Sequence, residues 1–265
     1  MRPWCVQRWK KLDVGNMKPF VIICQARSGS TMLGSALSRH PQVIMHGEIF
    51  GAHHFPLNFY GIDENLPWPT PIEIILKKAR DRNPGSFLEE FVFADTARAR
   101  SGFKFKFEEF DIWPQVRDYI IANKMPIILL RRSNLLDRYL SEIEAEYSGF
   151  FNTTDKTTYG AMTKEEVFSK LTIGQIRLSI DKSREYQRTF SELFAGNPVF
   201  DLTYEDLTHN WHVKILRVCD FLGIAGVDLA PLTEKRAKRR LIDELCDVET
   251  TRRTLSEIGY TEFLQ

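Results

Sequence analysis

Five consecutive residues, Arg27-Ser28-Gly29-Ser30-Thr31, stand where a short apolar run, VIIC, gives way to a polar turn and then to a helix-forming stretch. Small, permissive residues at such a turn let backbone N–H groups near Ser28 to Thr31 point at an anion, and the positive end of the following helix adds to the attraction. A phosphate group suits such a cradle. The pattern is not the lysine-bearing loop of nucleotide hydrolases, because G-x-x-x-x-G-K-[ST] requires a lysine before its last hydroxyl residue and none stands there. Arg27 can supply positive charge instead, against charge building on a leaving phosphate oxygen. Taken alone, the segment also fits a plain glycine turn with a surface arginine.

Other residues of chemical interest follow. His46 and Glu48 are two positions apart, and histidine is the commoner general base at neutral pH. In GFKFKFE (102–108) the residues alternate strictly, so Phe103, Phe105 and Phe107 share one face of a strand and Lys104 and Lys106 the other. The lysines read as an exposed polar face that could also meet an anionic group. Arg131 and Arg132 close a second apolar run, PIILL, just before another helix, and a fork-shaped guanidinium binds phosphate in bidentate fashion.

The elements that must carry these groups are legible from periodicity. PFVIIC (19–24) and PIILL (126–130) are continuous apolar runs, as expected of strands buried on both faces of a parallel sheet. QVIM (42–45) and PVFDLTYEDL (198–207) add strands. Helices are predicted from Thr31 to Arg39, ending before His40-Pro41, from Pro71 through IEIILKKARDR, over FLEEFVFAD, and after Ser133 or Asn134, either of which can cap. An amphipathic stretch over 163–195 carries Ile173, Ile176, Ile180 and Phe190 at helical spacing, and VKILRVCDFL stops at Gly223. Aromatic and proline residues between Phe50 and Pro71 read as an irregular loop, and 149–160 as a polar one. Repeated strand–helix alternation predicts an α/β fold with a central parallel sheet flanked by helices on both faces and a ligand site at the carboxyl ends of the strands.

At this point the chain resembles a known family. ARSGSTMLGSALSRHPQVIMHGEIF is similar to the 5'-phosphosulfate loop of the sulfotransferases, in the R-S-G-[ST]-[ST] form of the carbohydrate, nodulation-factor-type and tyrosylprotein members. IILLRRSNLLDRYLS resembles their second signature, and LTYEDLTHN with ILRVCDFLGI resembles a third stretch. The resemblance implies a P-loop-NTPase-like fold and transfer of a sulfuryl group from 3'-phosphoadenosine 5'-phosphosulfate to a hydroxyl, leaving adenosine 3',5'-bisphosphate, with no metal. It implies that Arg27, Ser28, Gly29, Ser30, Thr31 and Met32 hold the 5'-phosphosulfate end, that Arg27 also steadies the leaving oxygen, and that Glu48, ahead of His46, takes the acceptor's proton. It further implies that Arg132 and Ser141 grip the 3'-phosphate. Ser141 lies nine residues after Arg132 and ten after Arg131, against a shorter common spacing, so both arginines stay candidates. The basic segment 234–240 stands where relatives close a loop over the nucleotide, and a solvated charge run fits it equally.

Composition narrows the partners. Balanced charge, 36 basic against 35 acidic residues for a net +1, gives no global field toward nucleic acid, so an anionic ligand needs a local cluster. Four scattered cysteines, Cys5, Cys24, Cys219 and Cys246, match no metal spacing and read as reduced thiols. No signal peptide or membrane-spanning run appears, so the expected location is cytoplasmic. With 265 residues, 43% of them hydrophobic, one core is affordable: an N-terminal arm over 1–18 and a single domain over 19–265. The expected acceptor is a small molecule, a lipid or a carbohydrate. A nucleotide-dependent kinase of the same fold, and a module that binds nucleotide without catalysis, are the rival readings.

Overall fold

The run after Pro19 becomes β1 (Lys18–Cys24), in which every residue from Phe20 to Cys24 is shut off from solvent. In this computed structural model, residues 17–51, 71–94, 98–148, 171–231, 242 and 248–264 are described. Most of the N-terminal arm, most of the aromatic loop, the polar loop over 149–160, the start of the 163–195 helix, the 234–240 segment, Cys5 and Cys246 lie outside them.

A strand buried on both faces needs neighbours on both edges and cover above and below. β1 has them: the sheet runs in the order β2-β3-β1-β4-β5, with β2 at Val43–Met45, β3 at Arg100–Lys106, β4 at Ile127–Arg131 and β5 at Val199–Thr203. All neighbours are parallel, and register pairs Cys24 with both Lys106 and Leu130. The predicted central parallel sheet with helices on both faces is the observed fold.

Side-chain alternation divides the core. Val21, Ile23, Phe103, Phe105, Ile127 and Leu129 point to one face, covered by α2 (Pro71–Arg82), α3 (Pro84–Phe87), α4 (Pro114–Ala122) and α6 (Ile173–Leu193). Phe20, Ile22, Cys24, Ile128, Leu130 and Leu202 point to the other, covered by α1 (Ser30–Leu37) and α8 (Trp211–Leu222). A third cluster joins α5 (Leu135–Ser148) to α6 and α9 (Val248–Glu257) through Leu136, Leu140, Ile176, Ile180 and Leu255.

Several boundaries differ from the sequence expectation for local reasons. FLEEFVFAD is not one α-helix: α3 ends at Phe87 and a five-residue π-helical turn, Leu88–Val92, follows. Lys106 ends β3, and Phe107 opens a 3-10 turn, yet its ring stays buried beside Phe110 and Phe190 on the face of Phe105. YEDL is not strand, because the Thr203 hydroxyl at the end of β5 accepts the Asp206 N–H and starts a short helix, α7 (Tyr204–His209). Gly223, at φ 63°, ends α8 as expected.

Gly102 marks a tight point of the sheet. A Cβ there would stand 2.4 Å from the ring of Phe20, itself fully buried between β3 and the helices. Gly102→Ala is therefore expected to destabilise the protein by about 1–3 kcal/mol, the usual penalty for overpacking. Urea unfolding should show a lower midpoint at unchanged slope; wild-type stability would contradict this packing.

Candidate functional site

The turn between β1 and α1 is held from behind. The Ser28 hydroxyl donates to the Gln25 carbonyl at 2.8 Å, Arg138 Nη1 to that of Ala26 at 3.4 Å, and Arg132 Nη1 to that of Arg27 at 3.5 Å. In a trans peptide the next N–H points the opposite way. Tying down the carbonyls of residues 25, 26 and 27 thus turns the N–H groups of Ala26, Arg27 and Ser28 to the other side. Arg27 (φ 63°) and Gly29 (φ 87°) take the left-handed conformation that makes such a nest, and α1 begins at Ser30. The helix leaves its first N–H groups, those of Ser30 to Met32, without intrahelical acceptors.

Gly29 answers a steric need as well. A Cβ there would come within 2.6 Å of the Tyr204 ring, which also stacks against the Arg132 guanidinium at 4.9 Å. Ser28 is fully buried and Met32 belongs to the core under α1, so what they present to an anion is backbone. Cys24, at the end of β1, is a buried free thiol pushed up to about 12 by burial.

The second cluster meets the first directly. Arg27 Nε donates to Ser141 Oγ at 3.1 Å, across from α5. Of the two neighbouring arginines, Arg131 turns away and pairs with Asp201 on β5, Nε to Oδ1 at 3.0 Å. Arg132 faces the turn: its side chain is 11% exposed, Asp137 lies 3.5 Å away, and its Nε is buried without a hydrogen-bond partner among the described residues. Two amides just ahead of α5 are already engaged, since the Glu205 carboxylate accepts the N–H groups of Ser133 and Asn134 at 2.9 and 3.1 Å. Asn134 rather than Ser133 caps the helix, accepting the Asp137 N–H.

Glu48 stands at the far side of the turn. Beyond β2 the chain keeps pairing with β3, His46 N–H to Gly102 and Lys104 N–H to Gly47, and the Phe50 ring is wedged against Phe103, Phe105 and Trp113. This anchoring brings Glu48 to the lysines, with Lys104 Nζ 3.2 Å from Oε1 and Lys106 Nζ 2.9 Å from Oε2. The lysines are not an exposed polar face. Lys104 is buried, its stem lies beside Gly34, and its Nζ reaches Thr31 Oγ1 at 3.5 Å. The cation missing from the loop thus arrives from β3. His46 is buried with Nε2 against the Val92 carbonyl at 3.2 Å, pointing away from this cluster.

Burial alone would raise the Glu48 carboxyl, but Lys104 and then Lys106 outweigh it and hold the group at about 2. The same carboxylate raises Lys106 despite its own burial. Arg138, Tyr204 and Glu205 lie inside the two stretches that resemble the family's second and third signatures, but they act on the loop and helix rather than on an anion, and the sequence alone does not single them out.

A scan against protein-family models gives no match, and neither does a search of curated proteins. Solved structures do match. A sulfotransferase from Alicyclobacillus acidocaldarius aligns with a TM-score of 0.51 at 16% identity, over 91% of this chain and 95% of that one. The sulfotransferase domain of the Synechococcus PCC 7002 olefin synthase aligns at 0.48 and 17% identity, over 95% and 98%. The first of these carries the comparison. The chain has the sulfotransferase fold. Among the described residues no helix is long and apolar enough to cross a membrane.

The ion pairs of Glu48 have a sign that can be tested. Its carboxyl ionises at about 2 when folded against an ordinary 4.5, so its contribution to stability is present above 4.5 and is lost as pH falls toward 2. In urea unfolding at a series of pH values, the stability of wild type relative to Glu48→Gln is expected to shrink across that window. A constant difference would mean that the pairs do not form.

Proposed function

We propose that this protein is a sulfotransferase, with 3'-phosphoadenosine 5'-phosphosulfate as donor and a hydroxyl of a small molecule, lipid or carbohydrate as acceptor. The observation that carries the reading is the convergence of the outward amides of the β1–α1 turn, Arg27, Arg132 and Ser141 at one end of the sheet, facing a carboxylate flanked by two lysines. The residues fit the donor: the buried Arg132 Nε lacks a partner among the described residues, and the nest has its carbonyls tied behind it. Backbone groups of Ser28 to Met32 with Arg27 would hold the 5' end, and Arg132 with Ser141 the 3'-phosphate.

When bound, the donor supplies a sulfuryl group whose S–O bond to phosphate breaks as a new S–O bond forms to the acceptor oxygen. Such transfer needs in-line positioning and electrostatic support more than covalent help. Glu48 takes the hydroxyl proton. Arg27 neutralises charge on the oxygen that leaves with adenosine 3',5'-bisphosphate. Clamped by two ammonium groups, Glu48 is always ionised at neutral pH but weakly basic; it gains basicity when an anionic group draws Lys104 and Lys106 toward itself.

Two measurements test this. Arg132→Ala is expected to weaken adenosine 3',5'-bisphosphate binding roughly 10- to 100-fold, the loss of about 1.5–3 kcal/mol of charge-assisted bonding, whereas Arg131→Ala leaves it near wild type. The opposite ranking in calorimetry would overturn the assignment. Glu48→Gln should abolish labelled-sulfate transfer while sparing nucleotide binding, and undiminished turnover removes Glu48 from the reaction. A kinase of the same fold would instead lose activity to a chelator.

A further inference from the structure

Glu109 lies behind the Glu48 cluster, and the reaction above gives it no task. It closes the 3-10 turn Phe107–Glu109 after β3, and its side chain is 5% exposed. Oε2 accepts the backbone N–H of Lys106 at 2.9 Å. Oε1 lies 3.7 Å from Lys106 Nζ and has no hydrogen-bond partner among the described residues. Gly51 lies close to both carboxyl-bearing side chains: a Cβ there would stand 3.5 Å from Glu48 Cβ and 3.6 Å from Glu109 Oε1. Among the described residues, the charged groups facing Glu109 are Lys106 from β3, Glu48 from the turn after β2 and Glu108 from its own turn; Lys104 stands beyond Glu48.

Lys106 is therefore one ammonium shared between two carboxyl groups. An ionised Glu109 draws Lys106 back and repels Glu48, which makes Glu48 more basic; a protonated Glu109 leaves Lys106 to Glu48. On the sulfotransferase reading, we propose that Glu109 is a positioning residue whose charge state sets the basicity of Glu48 through Lys106, raising turnover and loosening the hold on the anionic donor as it ionises. The loosening follows from charge. With Glu109 neutral, two ammonium groups face one carboxylate; with it ionised they face two.

Burial lifts the Glu109 carboxyl to about 7, against the lowering effects of the Lys106 N–H and ammonium and with smaller lifts from Glu48 and Glu108. The change then falls in the neutral range rather than where ordinary carboxyl groups titrate. As pH rises through about 7, Glu109 loses its proton, so kcat and the donor KM are both expected to rise. The rise in kcat should be about three- to tenfold, the gain from roughly one unit of added basicity.

The experiment has two arms. In the first, kcat and donor KM are followed against pH for wild type, Glu109→Gln and Glu109→Asp. The steps near neutrality are expected in wild type, absent in Glu109→Gln and retained in Glu109→Asp; a wild-type step in Glu109→Gln, or a loss by one constant factor at every pH, overturns the proposal. In the second, carboxyl-labelled glutamate is titrated by NMR without donor or acceptor. One carboxyl should titrate near neutrality in wild type and move to lower pH in Glu48→Gln, where the repulsion is gone; no such signal, or one that does not move, overturns the coupling even if Glu109→Gln fails to fold. A protein that binds no adenosine 3',5'-bisphosphate and turns over no acceptor sinks the sulfotransferase reading, and the NMR arm then decides the Glu109–Lys106–Glu48 coupling on its own.

Discussion

A loop that is to hold an anion by its backbone must have its carbonyl oxygens turned away, and nearly everything around the β1–α1 turn serves that end. Three consecutive carbonyls, of Gln25, Ala26 and Arg27, are taken by Ser28, Arg138 and Arg132. Gln25 is itself fixed from α6 by Ser183, and Arg138 is braced by Glu142 and Ser179 at 2.8 and 2.9 Å. Left-handed backbone at a residue other than glycine is costly, about 1 kcal/mol or more, and persists only where its surroundings over-determine it. Arg27 is such a residue. Side chains of α5 and α6 are thus part of the support of the anion cradle.

The opposite wall of the site is governed by charge in a confined space. Lys104, Lys106, Glu48 and Glu109 come together where β3 ends and the chain after β2 still pairs with it. Breaking one partner of a buried pair leaves an uncompensated charge, so such a cluster is stable only with its members matched. Here the match is uneven: Lys106 serves two carboxyl groups, and one of them, Glu109, keeps an oxygen without a hydrogen-bond partner among the described residues. An arrangement of this kind responds to any incoming anion, because each ammonium that turns toward the newcomer changes what the carboxylates feel.

Much of this was legible in the residues themselves. VIIC and PIILL are continuous apolar runs because β1 and β4 are buried on both faces, and a period of two in FKFKF separates three phenylalanines from two lysines whatever the fold. The glycine at 29 and the hydroxyl residues after it announce a strand-to-helix turn. What periodicity could not say is whether the lysine face of β3 meets water or protein, since that depends on α1 crossing it with Gly34 at the contact.

Local sequence determined the elements, the anion-loving turn and the set of charged candidates, because apolar period, glycine placement and capping act over a few residues. Tertiary structure alone decided which of them work together. Arg131 and Arg132 are adjacent and chemically identical; Asp201 on the neighbouring strand takes the first, while Asp137, the Tyr204 ring and the Arg27 carbonyl hold the second to the loop. His46 and Glu48 are two residues apart, yet one is turned under the Val92 carbonyl and the other toward two lysines more than fifty residues later in the chain. The reason is that Coulomb and hydrogen-bond partners are chosen by distance in space, which sheet order fixes and sequence spacing does not.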